Sequence, residues 1–250
     1  SDTTYAKGLE GVIAAESKIS KVDGEKGKLY YLGYSITDLV EHCDFEEVTY
    51  LLLYGELPNS SELEVFRKKM RDSRELKPQI VQMIKEFPPK AKPMELLQSS
   101  IAYLSGYVER SIQHSATCNC RNTLHQVVQL SGVVAGLARV RAGQEYVPAR
   151  SDLSHGANFL YQLTGEEPDE FEGRVMDDAL ILHAEHGLNA STFTARVVAS
   201  TISTCYSSIS AAVGALYGSL HGGANEKAML MVNEIGDQSK AEDYVNKVLD

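Results

Sequence analysis

The sequence predicts a mainly α-helical chain that opens with a short β-hairpin. Three observations carry the prediction. Apolar residues recur at three- and four-residue steps through most of the chain after Ser35. Helix-stopping chemistry closes the clearest of these runs, where Gly55 and Pro58 come after residues 45–54. β-prone residues flank turn chemistry only near the N-terminus, where residues 19–22 and 29–31 enclose Asp23-Gly24-Glu25-Lys26-Gly27.

The hairpin lies within the first 36 residues, and little strand is expected elsewhere. Ser61 with Glu64 three residues on reads as a capping box that opens a helix bearing Leu63, Phe66 and Met70. Further helical patterns cover 78–87, 94–107, 123–142, 153–163, 170–183 and 191–217. Residues 133–138 and 209–216 are apolar around most of the helix and rich in small side chains. That suits a buried central helix or a subunit interface. Residues 238–250 read as an amphipathic helix with Ala241, Tyr244, Val245, Val248 and Leu249 on one side. The chain stops there without a glycine cap or polar tail, which predicts further sequence after Asp250.

Composition narrows the function. Of 250 residues 43% are hydrophobic and 23% charged, the profile of a globular chain rather than a disordered one. Twenty-four basic against 34 acidic residues give a net charge of −10 with no Lys/Arg-rich run, so neither nucleic acid nor membrane is an expected partner. Charged residues from Asp2 to Glu10 interrupt the apolar block a secretory signal needs, and a cytoplasmic location is the expectation. Cys43, Cys118, Cys120 and Cys205 form no framework, and Cys118-Asn-Cys120 is too tight for a CxxC site, so four reduced thiols are expected.

Two segments concentrate polar groups that a helical core does not need: His183-Ala-Glu-His186-Gly-Leu-Asn189-Ala-Ser-Thr192 and His221-Gly-Gly-Ala-Asn-Glu226. His183 and His186 are three apart, whereas the zinc-protease pair is four apart, and no third ligand is evident; no metal is expected. They read either as a helix-end histidine and a core histidine, or as an anion site. In the second reading, His186 with Asn189 and the helix start after it binds a carboxylate. His221 precedes two glycines that let a ligand approach the backbone. It reads as a structural loop histidine or as a hydrogen-bond donor to a carbonyl oxygen that is becoming an enolate. His155 reads as an N-terminal helix residue packed in the core. His42, His114 and His125 read as surface or core residues, and no GxSxG, dinucleotide or P-loop spacing is present.

In their order, these residues resemble the citrate synthase family, which includes 2-methylcitrate synthase. The resemblance runs along the whole chain. It starts at Gly8-Leu-Glu-Gly-Val12, then Val22-Asp-Gly24 with Gly33-Tyr34, and Phe45-Glu-Glu-Val48 leading to Leu51-Leu-Leu-Tyr-Gly-Glu-Leu-Pro58. It continues through Arg74-Glu-Leu76, Asn158-Phe-Leu-Tyr161 and Leu163-Thr-Gly165 to His183-Ala-Glu-His186, Asn189-Ala-Ser-Thr-Phe193 and Leu220-His-Gly-Gly-Ala-Asn225. The resemblance implies a multi-helical large domain over residues 1–221 and the start of an incomplete small domain over 222–250.

It also implies a homodimer or higher homo-oligomer that condenses acetyl-CoA with oxaloacetate, with no cofactor beyond the CoA thioester used as substrate. By the same resemblance His221 is catalytic, polarising the thioester carbonyl, while His186, Asn189 and Arg74 bind substrate. The family's aspartate base, a second oxaloacetate histidine, the CoA loop and the carboxylate-binding arginines correspond to positions after Asp250. On this reading the last third of a family chain is absent, and the 250 residues alone are expected to be inactive. Leu32 stands where many relatives have Arg. Two alternatives remain open: a 2-methylcitrate synthase using propionyl-CoA, and a catalytically inactive helical scaffold or fragment.

Overall fold

The computed structural model describes residues 12–107 and 116–249, with side chains described except at 116–122 and 249. The Gly8–Val12 motif up to Gly11, His114 and the side chains of Cys118 and Cys120 lie outside the described residues. Twelve α-helices and one antiparallel sheet of three strands, in the order β1-β2-β3, make up most of the described chain. The mainly α class with an N-terminal hairpin is the one that forms.

β1 (Ser20–Asp23) pairs with β2 (Lys28–Tyr31), with Asp23 opposite Lys28 across the predicted turn. A third strand, β3 (Tyr34–Ser35), comes after a two-residue turn at Leu32 and Gly33, with φ of 49° and 94°. Two positive φ values suit the right-handed twist of paired strands. Leucine is a poor choice for that region, so composition gives no hint of the turn. Leu32 is held there because its N–H donates to the Ile19 carbonyl at 2.8 Å and its side chain packs on the core.

Caps set the helix starts. α1 (Ile36–His42) is capped by Ser35, and α2 (Phe45–Tyr54) by an Asp44–Glu47 capping box. α2 ends on Gly55 at φ 92°, as its sequence predicts. The box opening α3 (Ser60–Asp72) is a correction: it is formed by Asn59 and Glu62, not by Ser61 and Glu64. The Asn59 side chain accepts from the N–H of both Ser61 and Glu62 at 3.0 Å, and asparagine equals serine as a cap. α4 (Pro78–Glu86) and α5 (Pro93–Leu104) each begin on a proline, whose missing N–H costs nothing there.

After α6 (Ala116–Arg141) come α7 (His155–Thr164) and α8 (Glu170–His183). The single helical stretch expected over 191–217 is two helices, α9 (Ala190–Ser200) and α10 (Cys205–Leu216). Ile202 at φ 62° breaks the run, and Thr204 caps α10. α11 (Gly223–Ile235) and α12 (Ala241–Leu249) complete the chain.

The described residues divide into two compact units, 12–81 with 127–189, and 82–107 and 116–126 with 190–249. In this partition α11 and α12 group with α5, α9 and α10. In the first unit Tyr31, Leu39, Cys43, Val48, Leu51 and Ile181 form a buried cluster joining the sheet to α1, α2 and α8. α7 and α8 approach closely through small residues: a Cβ on Gly156 would lie 2.6 Å from Asp177 Oδ1, and one on Gly173 would lie 3.1 Å from Ala157 Cβ. In the second unit α10 packs on α9 and α5. There Leu96, Ile101 and Tyr206 are buried, and Ser210 Oγ donates to the Gln98 carbonyl at 3.1 Å.

Candidate active site

The first polar segment begins where α8 ends. His183 is the last helical residue, and its Nδ1 lies 2.7 Å from the Ala179 carbonyl, so Nδ1–H donates back to its own helix one turn earlier. That places His183 in a structural role. His186 lies three residues on, exposed, in the short loop before α9. Asn189 immediately precedes Ala190, the first residue of that helix, and is exposed as well. Among the described residues no group of three His, Cys, Asp or Glu side chains is placed to hold a metal ion.

The loop that carries His186 is tied down on both sides of the imidazole. Tyr31 Oη donates to the Ile181 carbonyl at 2.9 Å and accepts from the Glu185 N–H at 3.1 Å. The Glu185 carboxylate accepts from Ser20 Oγ at 3.0 Å and from the Gly187 N–H. Burial pushes the Tyr31 phenol up, so it remains a neutral donor.

The second segment is the junction between α10 and α11. His221 is half-buried, and its Nε2 lies 3.0 Å from Ser191 Oγ at the start of α9. The junction is compact: the N–H of His221 donates to the Gly218 carbonyl and that of Gly222 to the Leu216 carbonyl, both at 2.9 Å. Here the structure refines the sequence reading of the two glycines. A Cβ on Gly222 would come 2.3 Å from the Leu216 carbonyl oxygen, so glycine is required by the fold itself. Gly223 is different, since a Cβ there would meet only Ser219 Cβ at 3.7 Å and the Gly218 oxygen at 3.8 Å. Asn225 and Glu226 are exposed in the first turn of α11.

Nothing in the sequence singles out Ser191 as a partner. It lies 30 residues from His221, and no motif links positions that far apart.

Arg74, expected from the resemblance to bind substrate, comes two residues after α3 ends. Its side chain is 1% exposed in the first unit. Nη2 pairs with Glu46 Oε1 at 3.0 Å, while Nη1 donates to the carbonyls of Arg150 and Leu153 at 2.9 and 2.8 Å. Arg67 Nε reaches the other Glu46 oxygen at 3.1 Å. Burial pushes the Glu46 carboxyl up, against the pull of Arg71 and Arg74. Asn158 Oδ1 accepts from the Arg150 N–H at 2.8 Å, and Gln162 Nε2 donates to the Val147 carbonyl at 3.1 Å. Arg74 therefore holds the irregular segment before α7 against α2 and α3. His155, the first residue of α7, is 3% exposed beside this network, as expected of a core histidine.

Fold and junctions together define a mainly helical protein that sets imidazoles at helix ends. The chain belongs to the citrate synthase family: residues 8–250 match the family model described as citrate synthase, C-terminal domain. It is 41% identical over 248 residues to a citrate synthase of Deinococcus radiodurans, covering 99% of this chain and 66% of that protein. It is 40% identical to 2-methylcitrate synthase 1 of Corynebacterium glutamicum, covering 100% of this chain and 67% of that protein. The solved ternary complex of carboxymethyl coenzyme A and oxaloacetate with the citrate synthase of Thermoplasma acidophilum matches with a TM-score of 0.87 at 29% identity. That match covers 96% of this chain and 63% of the other. The chain thus spans 62–66% of the length of curated citrate synthases that it matches.

Proposed function

We propose that the protein containing this chain joins the methyl carbon of acetyl-CoA to the 2-oxo carbon of oxaloacetate and releases citrate and CoA. The observation that carries this reading is the His221–Ser191 hydrogen bond at the head of α11, in a chain of this family. When the Ser191 hydroxyl donates to Nε2, the ring proton resides on Nδ1. Nδ1–H is then the donor to the thioester carbonyl. A methyl proton α to a thioester is too weakly acidic for a carboxylate to remove at neutral pH. A hydrogen bond formed as the oxygen gains charge lowers that barrier.

The enol then attacks the carbonyl carbon of oxaloacetate, and water cleaves the resulting thioester. His186 and Asn189 are assigned to the oxaloacetate carboxylates, and Arg74 to the fold. No residue of this chain is assigned as the base. Proton transfer and hydrogen bonding suffice for the condensation, so the reading includes no metal or redox cofactor. It includes a homodimer or higher homo-oligomer and a cytoplasmic location, and the 250-residue span expressed alone is expected to be inactive. Sedimentation at micromolar concentration tests the assembly: a monomer alone would count against it.

The test is thiol release from acetyl-CoA with oxaloacetate by the native protein and by His221→Ala. We expect kcat to fall by about 10²- to 10³-fold. A variant retaining wild-type kcat would remove His221 from the mechanism, and a native protein without turnover would favour the scaffold reading. The similarity to 2-methylcitrate synthase 1 supports a second reading, in which propionyl-CoA is preferred. One methylene changes kcat/KM by about 10- to 200-fold in an apolar pocket, so the ratio for the two thioesters decides.

A further inference from the structure

The N-terminal sheet is remote in sequence from both polar segments, yet its residues grip the loop that presents His186. Tyr31 is 0% exposed, and its one hydroxyl serves two backbone groups, the Ile181 carbonyl at 2.9 Å and the Glu185 N–H at 3.1 Å. Ser20, directly opposite Tyr31 in the register of β1 and β2, donates to Glu185 Oε1 at 3.0 Å. The same carboxylate oxygen accepts the Gly187 N–H, closing a turn around residue 186. Gly187 has φ 80°, a conformation that favours glycine and lets the chain reverse there. The residues on either side of His186 are thus fixed through one carboxylate, and the backbone N–H of Glu185 is itself fixed by a buried phenol. His186 remains exposed in the loop these contacts define.

We propose that Tyr31 and Glu185 are positioning residues for His186, holding the 184–188 loop so that its imidazole meets the 2-oxo dicarboxylate in one orientation. The proposal rests on the assignment of His186 to oxaloacetate given above. Without the clamp the loop samples several conformations, and substrate must select one. That weakens affinity by the fraction of the competent form. The chemistry at the thioester, which this reading gives to His221, is not expected to change.

Two measurements on the native protein separate the clamp from the functional reading. In the first, amide hydrogen exchange of the peptide spanning 184–189 is compared in wild type, Tyr31→Phe, Glu185→Ala and Tyr30→Phe. Tyr31→Phe keeps the ring and removes only the hydroxyl. Exchange is expected to quicken by about tenfold in the first two variants and to stay unchanged in Tyr30→Phe.

In the second, KM for oxaloacetate is expected to rise by about 3- to 10-fold in Tyr31→Phe and Glu185→Ala. KM for acetyl-CoA and kcat should stay within about twofold. Glu185→Gln, which retains an acceptor oxygen, is expected to recover most of the loss. Unchanged exchange in Tyr31→Phe overturns the clamp. A fall in melting temperature with both KM values unmoved, or moved equally, overturns the positioning role. A native protein that neither binds nor converts oxaloacetate overturns the functional reading, and exchange then judges the clamp alone.

Discussion

Two polar assemblies in this chain meet opposite fates. Around Arg74 and Glu46, charged groups are buried and consumed: both terminal nitrogens of the guanidinium are engaged, and both carboxylate oxygens are paired. At the α10–α11 junction and in the loop before α9, imidazoles are tethered but left accessible. His221 is held by Ser191 at one nitrogen, and His186 projects from a loop whose anchors are its neighbours. A polar group whose charged ends are paired inside the protein serves the fold. One that is oriented by a single contact keeps capacity for a ligand. Residue type alone does not separate the two, and Arg74 shows why.

Removing Arg74 puts the heaviest load on that contrast. Arg74→Ala would leave the buried Glu46 carboxylate under-compensated and orphan the carbonyls of Arg150 and Leu153. A loss of about 3–5 kcal/mol is expected, read as a lower urea midpoint at unchanged m-value. A loss under about 1 kcal/mol would mean the network is decorative and the contrast wrong.

Next is a pair of glycines in the other assembly. Gly222→Ala should displace the His221 backbone, because its Cβ cannot share space with the Leu216 oxygen, and kcat should fall by about 10- to 100-fold. Gly223→Ala meets only ordinary contacts at the first position of α11 and should stay within about threefold. Equal effects would show that the junction tolerates movement, and that His221 is not held there.

The smallest effect sharpens the buried side by titration. Burial, with Arg74 adding to it, holds the His155 imidazole down to about 3, against an ordinary value of 6.5. Between those values the unfolded chain binds a proton that the folded chain refuses. Stability should therefore fall as pH drops below 6.5, by up to about 1.4 kcal/mol per pH unit. Burial raises the carboxyl groups of Glu46 and Asp177, which protonate more readily folded than unfolded and oppose the trend at lower pH. Melting temperature against pH for wild type and His155→Gln checks this: the variant should be flatter from about pH 6.5 to about 5.

Much of this is legible from the residues. The helices at 45–54, 78–87 and 170–183 emerge from apolar period and caps, and His155 reads as a core residue because it opens an apolar helical run. The Asn59 cap escapes a reading of the sequence because Ser61 and Glu64 satisfy the same pattern two residues later, and only geometry separates them. The break at Ile202 is invisible, since nothing in that residue's chemistry favours a positive φ. At the site, His186 and His221 stand out as imidazoles beside turn residues, but their roles come from resemblance. Ser191 and Tyr31 emerge only from the folded chain, because hydrogen bonds between residues 30 or 154 positions apart leave no local trace.

The close approach of α7 and α8 has its own consequence for how the first unit comes apart. With Gly156, Ala157 and Gly173 at the contact, the two helices leave no room for a larger side chain at their crossing. The Asp177 carboxylate also bridges the gap, accepting the Gly156 N–H at 2.8 Å. Such a pair cannot loosen by degrees; it separates only when the surrounding unit does. A protease acting on the native protein would therefore find its first cuts in other segments, and fragments that keep 155–183 intact should be the last to disappear.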